Sequence, residues 1–246
     1  MRVHRIFISD LREGERVLTG SEAQHLAGVL RTEPGARVRA FDGQGLEANG
    51  VVSEVGALRV TLTLEHPLPS VVEASLELTL AVALLKGDKL SGVVRQGTEL
   101  GVARFAPIVS ERCDVRELSV NKLGRLRRVA QEAAKQSGRS VVPAVDEPQK
   151  LGTLSLDGLV LVAQPHARAT LRAVLTEHAL SAGQTLSEYT PARVTLVTGP
   201  EGGLSPAEVG SLEAKGARVV QLGARILRAE TAPIALAAAL LVPEAL

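Results

Sequence analysis

Two patterns of apolar and polar positions divide the chain. Up to about residue 70 the two alternate with a period of two, most clearly through ARVRAFDGQGLEANGVVSEVGALRVTLTLE (36–65), as in strands with one buried face. Pro34-Gly35, Asp42-Gly43 and Asn49-Gly50 are turn signals within it, so the segment predicts hairpins closing into a small β-barrel or sandwich. SEAQHLAGVLR (21–31) is the exception, with helical spacing and a capping box expected from Ser21 and Gln24. The prolines of EHPLPSVVEAS (65–75) then separate contrasting patterns. The domain boundary is expected near residues 67 to 74, giving domains 1–70 and 71–246.

The second pattern alternates near-continuous apolar runs with helical stretches: LELTLAVALL, DKLSGVVRQGTELGV, RFAPIVS, NKLGRLRRVAQEAAKQ, GLVLVAQP, RVTLVTGP, PAEVGSLEAKG, ARVVQLG and TAPIALAAALL. Apolar strands alternating with helices argue an α/β domain, its parallel sheet covered on both faces. Ligands in such sheets sit beyond the carboxyl ends of the strands, where three loops qualify: AQPHA (163–167), TGPEGG (198–203) and LGARILR (222–228). The helix after the second loop has a strong start, with Ser205 as cap, Pro206 in the first helical position and Glu208 placed to bond back. After the third loop, Thr231 is the expected cap and Pro233 falls in the first turn.

A glycine-rich turn between strand and helix ordinarily holds phosphate. This one departs from both phosphate motifs. Counting from Gly199 puts Leu204 where a P-loop needs its second glycine, no lysine follows, and Glu201 stands where a Rossmann fingerprint has glycine. The loop therefore favours a neutral or cationic ligand. Of the 246 residues 45% are hydrophobic and 22% charged, enough for one large core or two modest ones, and the net charge of +1 requires any nucleic-acid contact to come from local patches. Cys113 is the single cysteine and the five histidines are scattered, which excludes an intrachain disulfide and a cysteine-based zinc site. The N-terminal stretch lacks a signal-type apolar core and IALAAALLV is too short to span a bilayer, so a cytoplasmic protein without membrane association is expected.

GPEGGLSPAE and LGARILRAETA, one helix and one strand apart, resemble the C-terminal signature of the RsmE family, SPOUT-superfamily methyltransferases acting on ring nitrogen N3 of a uridine in small-subunit (16S) ribosomal RNA. HRIF, SEAQHLAGVLRTEPGARVRAFDG, KGDKLSGVVRQGTELGV and RRVAQEAAKQSGR are similar to the family's earlier blocks in the same order, so the likeness covers nearly the whole chain. It implies a small PUA-like β-barrel RNA-binding domain followed by an α/β SPOUT domain with a parallel sheet and a deep trefoil knot, and a homodimer. The implied cofactor is S-adenosyl-L-methionine, whose sulfonium agrees with an acidic loop. No metal is implied, because the leaving group is a neutral thioether.

Carried over by position, the cofactor pocket uses Gln164 and Pro165 in the first loop, Thr198, Gly199, Glu201 and Gly202 in the second, and Leu222, Gly223, Ile226 and Leu227 in the third. Arg228 and Glu230 are the expected catalytic pair. Arg228 would steady the uracil anion, and Glu230 would accept the N3 proton or orient Arg228; a carboxylate favouring a helix N-terminus is the plain alternative for Glu230. RNA contacts are expected from Lys122, Arg125, Arg127, Arg128, Lys135 and Arg139 on or beside one helix, and from Arg5, His25, Arg31 and Arg37 in the barrel; a solvated charged face is the other reading of the helix. Phe7, Phe41 and Phe105 are expected in the core, and Cys113 as a small buried hydrophobe. Lys86, Glu99 and Arg112 match family positions, whereas Gly97 follows Gln96 where the family commonly has a lysine. The partner is ribosomal RNA, free or in the assembled small subunit. A SPOUT enzyme for another nucleotide, or a noncatalytic RNA-binding protein of the same fold, are the competing readings.

Overall fold

A computed structural model describes residues 3–56, 58–70, 73–184 and 191–242. The chain forms two compact units: the residues up to Glu73 together with Ala134–Val142, and Ala74–Ala133 together with the residues from Pro143 onward. Residues 134–142 thus return to the first unit, a feature that linear ranges do not carry. The boundary region read near residues 67 to 74 includes residues 71 and 72, which lie outside the described residues.

The first unit is built on a sheet of β1 (His4–Phe7), β2 (Gly14–Thr19), β3 (Arg37–Phe41), β4 (Leu46–Val55), β5 (Arg59–Leu64) and β6 (Leu68–Pro69). Its order is β1-β3-β4-β5-β2, with β6 on β4; β1 and β3 run parallel and the other pairs antiparallel. The period-two pattern puts Ile6, Leu18, Val38, Val52, Val60, Leu62 and Leu64 into one core, with Leu26 packed among them. Two local readings need correction. Asn49 and Gly50 do not turn the chain but lie inside β4, where a Cβ on Gly50 would sit 2.5 Å from the Leu64 side chain and 2.7 Å from the Thr63 carbonyl oxygen. The glycine is there so that two strands can approach. The short helix α1 (Gly20–Gln24) starts one residue before Ser21, with Thr19 as its cap and no side-chain capping bond, and runs on as a π-type turn over His25–Val29; the Ser21–Gln24 box does not form.

Buried polar contacts complete the unit. The Arg5 guanidinium pairs with Glu47 at 2.9 Å, donates to the Arg139 carbonyl and Ser140 Oγ, and lies over the Phe41 ring. Glu73 accepts from Arg139 Nε and Nη2 with one oxygen and from the Ser140 and Val141 amides with the other. Lys135 pairs with Glu22 at 2.9 Å.

The second unit holds a sheet of β7 (Glu77–Ala83), β8 (Arg104–Val109), β9 (Ala144–Val145), β10 (Gln149–Lys150), β11 (Leu159–Ala163), β12 (Ala169–Thr170), β13 (Arg193–Thr198) and β14 (Arg218–Gln221). Its order is β10-β8-β7-β13-β11-β14-β12, with β9 on β8, and every pair is parallel. The central strands are buried almost throughout, as their apolar runs require. The helices are α2 (Lys89–Leu100), α3 (Val120–Ser137), α4 (Leu171–Ser181), α5 (Pro206–Ala214) and α6 (Thr231–Leu241), with α3 continuing into the residues of the first unit. α6 packs on α2, β7 and β13, while Leu204, Leu212 and Ala217 join Val160, Val162 and Val197 in a core that also buries Cys113. Helix α4 is absent from the pattern reading, although Leu171, Val174, Leu175 and Ala179 are its buried positions at helical spacing. Gly97 of α2 has no room for a larger residue, since a Cβ there would meet the Phe105 ring at 2.8 Å. No described helix is long and apolar enough to cross a membrane.

Two stability predictions follow from these contacts. Gly50→Ala forces a methyl group against the backbone of β5 and is expected to cost about 1–3 kcal/mol in urea unfolding; a change within error would show that β4 and β5 can separate there. Ser205→Ala is expected to cost about 1 kcal/mol, because the capping box at the start of α5 forms in full, with Ser205 Oγ accepting from the Glu208 amide and Glu208 accepting from the Ser205 amide.

Candidate active site

The register of the parallel sheet sets the site. Ala163 of β11 lies opposite Thr198 of β13 on one side and Val220 of β14 on the other, and Thr198 lies opposite Val82 of β7. Four adjacent strands therefore end at one level. The loops leaving them, with the start of α2, surround a cavity of about 680 Å³, within the range that holds a small-molecule ligand. Gln164, Pro165, Thr198, Gly199, Glu201, Gly202, Leu222, Gly223, Ile226, Leu227, Arg228 and Glu230 all line it. Sequence reasoning missed three charged lining residues or gave them no place here: Lys89, Arg112 and Arg225.

The glycines have different reasons. A Cβ on Gly199 would come within 2.9 Å of the Gly203 carbonyl carbon and the Leu204 amide, so the second loop folds over its own first residue. Gly223 has φ +128 with open space around its Cβ position, a backbone state that L side chains rarely adopt. Leu222 and Ile226 are exposed beside it, leaving an apolar wall without a protein partner.

Charge in the site centres on Lys89, the first residue of α2. Its ammonium lies 2.7 Å from Glu201 Oε1 and 3.6 Å from Glu230 Oε2. Burial works to raise the Glu201 carboxyl, but the Lys89 hydrogen bond and the Glu201 and Lys86 amides outweigh it and hold the group below the usual carboxylate range. The Glu201 hydrogen bond in turn holds Lys89 above the ordinary lysine value, against the effect of its own desolvation. The acidic loop of the sequence reading is thus corrected: Glu201 is already paired, and the charged lining comprises two carboxylates, Glu201 and Glu230, against Lys89, Arg112, Arg225 and Arg228. Arg112 donates to the Gly202 carbonyl at 3.1 Å. Lys86 is outside the cavity lining and pairs with Asp114.

Thr198 Oγ1 and Glu230 Oε2 are buried and have no hydrogen-bond partner within the described chain. Buried polar atoms are ordinarily bonded, so an unbonded hydroxyl and an unbonded carboxylate oxygen on two cavity-lining residues mark where a ligand's polar groups fit. Glu230 is the residue before α6 but makes no side-chain capping bond; Thr231, read as the cap, is the first helical residue. The Arg228 carbonyl accepts from the Thr231 and Ala232 amides and so anchors the helix start, while its side chain is 85% exposed and its Nη1 stands 4.0 Å from Glu230 Oε1. These residues fit a nucleoside cofactor: the unbonded Thr198 hydroxyl, the apolar wall, the glycine-lined approach and the charged rim.

The residues expected to meet RNA fall into two groups. His25, Arg31 and Arg37 of the first unit, and Lys122, Arg125 and Arg128 of α3, are at least partly exposed; Arg125 pairs with Asp88 at 2.7 Å. Lys135, largely covered and paired with Glu22, is corrected, and so are Arg5 and Arg139. Arg139 is buried against Glu73 and the Arg5 side chain is largely covered, so both hold the first unit together and neither offers a free guanidinium to phosphate.

Comparison with known proteins agrees with this architecture. Residues 72–241 match the model of the RNA methyltransferase domain, and residues 18–65 that of the RNA methyltransferase PUA domain. A ribosomal RNA small subunit methyltransferase E from Synechocystis sp. is 35% identical over 225 residues, 90% of this chain and 71% of the relative. Its counterpart from Bacillus subtilis is 30% identical over 88% of this chain and 86% of its own. Among solved structures, the ribosomal RNA small subunit methyltransferase E of Neisseria gonorrhoeae, bound to S-adenosyl methionine, superposes with a TM-score of 0.83 at 28% identity, covering 97% of this chain and 96% of that one. A protein of Legionella pneumophila in complex with the cofactor SAM gives the same TM-score and identity over 98% of this chain and 97% of its own. With its methyltransferase domain, its PUA domain and these relatives over most of its length, the chain belongs to the ribosomal RNA small subunit methyltransferase E family of RNA methyltransferases.

Proposed function

We propose that the protein transfers a methyl group from S-adenosylmethionine to ring nitrogen N3 of a uridine in small-subunit ribosomal RNA, working as a homodimer in the cytoplasm. The observation that carries this reading is the convergence of three strand-end loops on one cavity lined by two residues with unbonded buried polar atoms, in a chain similar to solved proteins that hold the cofactor. The path from β14 to α6 supports the knotted threading expected of the fold: β14 pairs with β11, its loop lines the same cavity as the first two, and α6 then packs on β7 and β13 on the other side of β11.

When bound, S-adenosylmethionine supplies a methyl group on a sulfonium, with a neutral thioether as leaving group. Gln164, Pro165, Thr198, Gly199, Glu201 and Gly202 would hold the cofactor from the first two loops. Leu222, Gly223, Ile226 and Leu227 would cover its adenine from the third, apolar faces on the ring and backbone amides on its edge. The uracil N3–H must lose its proton as the nitrogen attacks. Glu230 is the acceptor, since the residue lines the cavity and its Oε2 has no hydrogen-bond partner among the described residues. Arg228, exposed at the rim and in loose contact with Glu230, would donate to the uracil carbonyl oxygens as negative charge builds there. His25, Arg31, Arg37, Lys122, Arg125 and Arg128 supply phosphate contacts outside the cavity.

The direct test is transfer of labelled methyl groups to small ribosomal subunits lacking the modification, and to the free RNA, followed by nucleoside analysis. N3-methyluridine is the expected product; label in another nucleoside would overturn the specificity, and none in either substrate would overturn the activity. Glu230→Gln is expected to lower kcat by roughly 10²–10⁴-fold while calorimetry finds cofactor affinity little changed. Unaltered turnover would remove Glu230 from the chemistry. Arg228→Ala is expected to lower kcat as well, and a loss confined to RNA affinity would make Arg228 a binding residue only.

A further inference from the structure

Lys89 is the lysine lining the cavity, and its place is not explained by the helix that carries it. It is the first residue of α2, where the helix dipole disfavours a cation. It ties two loops instead. Its ammonium makes a hydrogen bond of 2.7 Å to Glu201 after β13, and stands farther off, 3.6 Å, from Glu230 Oε2 after β14, in ion-pair contact just beyond hydrogen-bond distance. Glu201 Oε1 also accepts the Lys86 amide at 3.3 Å, so the start of α2 is fastened to the second loop by main chain and side chain together.

We propose that Lys89 is a positioning residue for proton removal: it supplies the counter-charge that keeps Glu230 in the cavity, while directing its own hydrogen bond to Glu201 so that Glu230 Oε2 stays open to accept the uracil N3–H. The inference rests on the reading of Glu230 given above. A half-buried carboxylate gains from a partner charge, but one that bonded Oε2 closely would occupy the acceptor that substrate requires. Arg228 alone is a poor substitute. It reaches Glu230 at 4.0 Å through the other oxygen, and its side chain is 85% exposed. Lys89 acts through Glu230 and takes no part in bond making.

The test compares wild type, Lys89→Met, Lys89→Arg, Glu230→Gln and the Lys89→Met/Glu230→Gln double variant. Lys89→Met is expected to lower kcat, measured at saturating cofactor on unmodified small subunits, on the order of tenfold or more, with KM for the subunit within about threefold; the effect on cofactor affinity through Glu201 is read separately by calorimetry, and Lys89→Arg, which keeps the charge, retains most of kcat. In the Glu230→Gln background Lys89→Met is expected to add almost nothing, as coupled residues fail to be additive. An equal loss of kcat in both backgrounds, or a loss confined to KM for the subunit, would overturn the proposal and leave an ordinary ion pair. A second readout needs neither cofactor nor RNA: the Lys89 ammonium, titrated by NMR in the free protein, is expected to lose its proton at lower pH in Glu230→Gln than in wild type. No change there would show that Lys89 does not sense Glu230. If wild type transfers no methyl group, the proposed function fails by itself, while the titration still decides whether the two residues are coupled.

Discussion

The pairing of β11 with β13 and β14, and of β13 with β7, is the constraint on which the rest of the molecule depends. Val82, Thr198, Ala163 and Val220 form one row across four parallel strands. In a parallel sheet every strand leaves at the same edge, so a common end level turns four separate segments into neighbours. A slip of one residue in β13 would turn its buried side chains to the opposite face and move Gly199 and Glu201 relative to the other loops. The cavity is thus a consequence of register, and the near-continuous burial of β11 and β13 is what fixes that register.

Electrostatics adds the second layer. Glu201, read alone, suggests a bare acidic loop. Beside Lys89 it belongs to a chain of alternating charge, Glu201 to Lys89 to Glu230 to Arg228, with each link at 2.7, 3.6 and 4.0 Å in turn. The contacts lengthen from Glu201 toward Arg228, the most exposed of the four. Such a gradient suits a site in which one end must stay fixed and the other must meet an incoming base. The exposed ends of such chains contribute little stability, so their arrangement is better accounted for by function.

Much of this was legible in the sequence, for reasons that are local. The apolar runs of the α/β unit and the Ser205-Pro206-Glu208 helix start are governed by a few neighbouring residues, and the structure contains both. The three loops could be picked out because strand ends are where ligands gather. What escaped depends on distant partners. Asn49-Gly50 carries a turn signal, yet Leu64 and the Thr63 carbonyl of the adjacent strand decide its conformation. Arg5 and Arg139 have the composition of phosphate ligands, but Glu47 and Glu73, far along the chain, claim them. Lys89 lies 112 residues before Glu201, and nothing in its immediate surroundings separates it from Lys86. Its importance appears only when β7 is set beside β13.

The central claim is that the strand-end cavity binds the methyl donor, and hydrogen exchange of the free protein with and without S-adenosylmethionine tests it most directly. The account predicts slowed amide exchange concentrated in residues 164–165, 198–202 and 222–230, with the first turn of α2 following through Lys89. Protection confined to the first unit, or spread evenly over the chain with these loops unchanged, would contradict it.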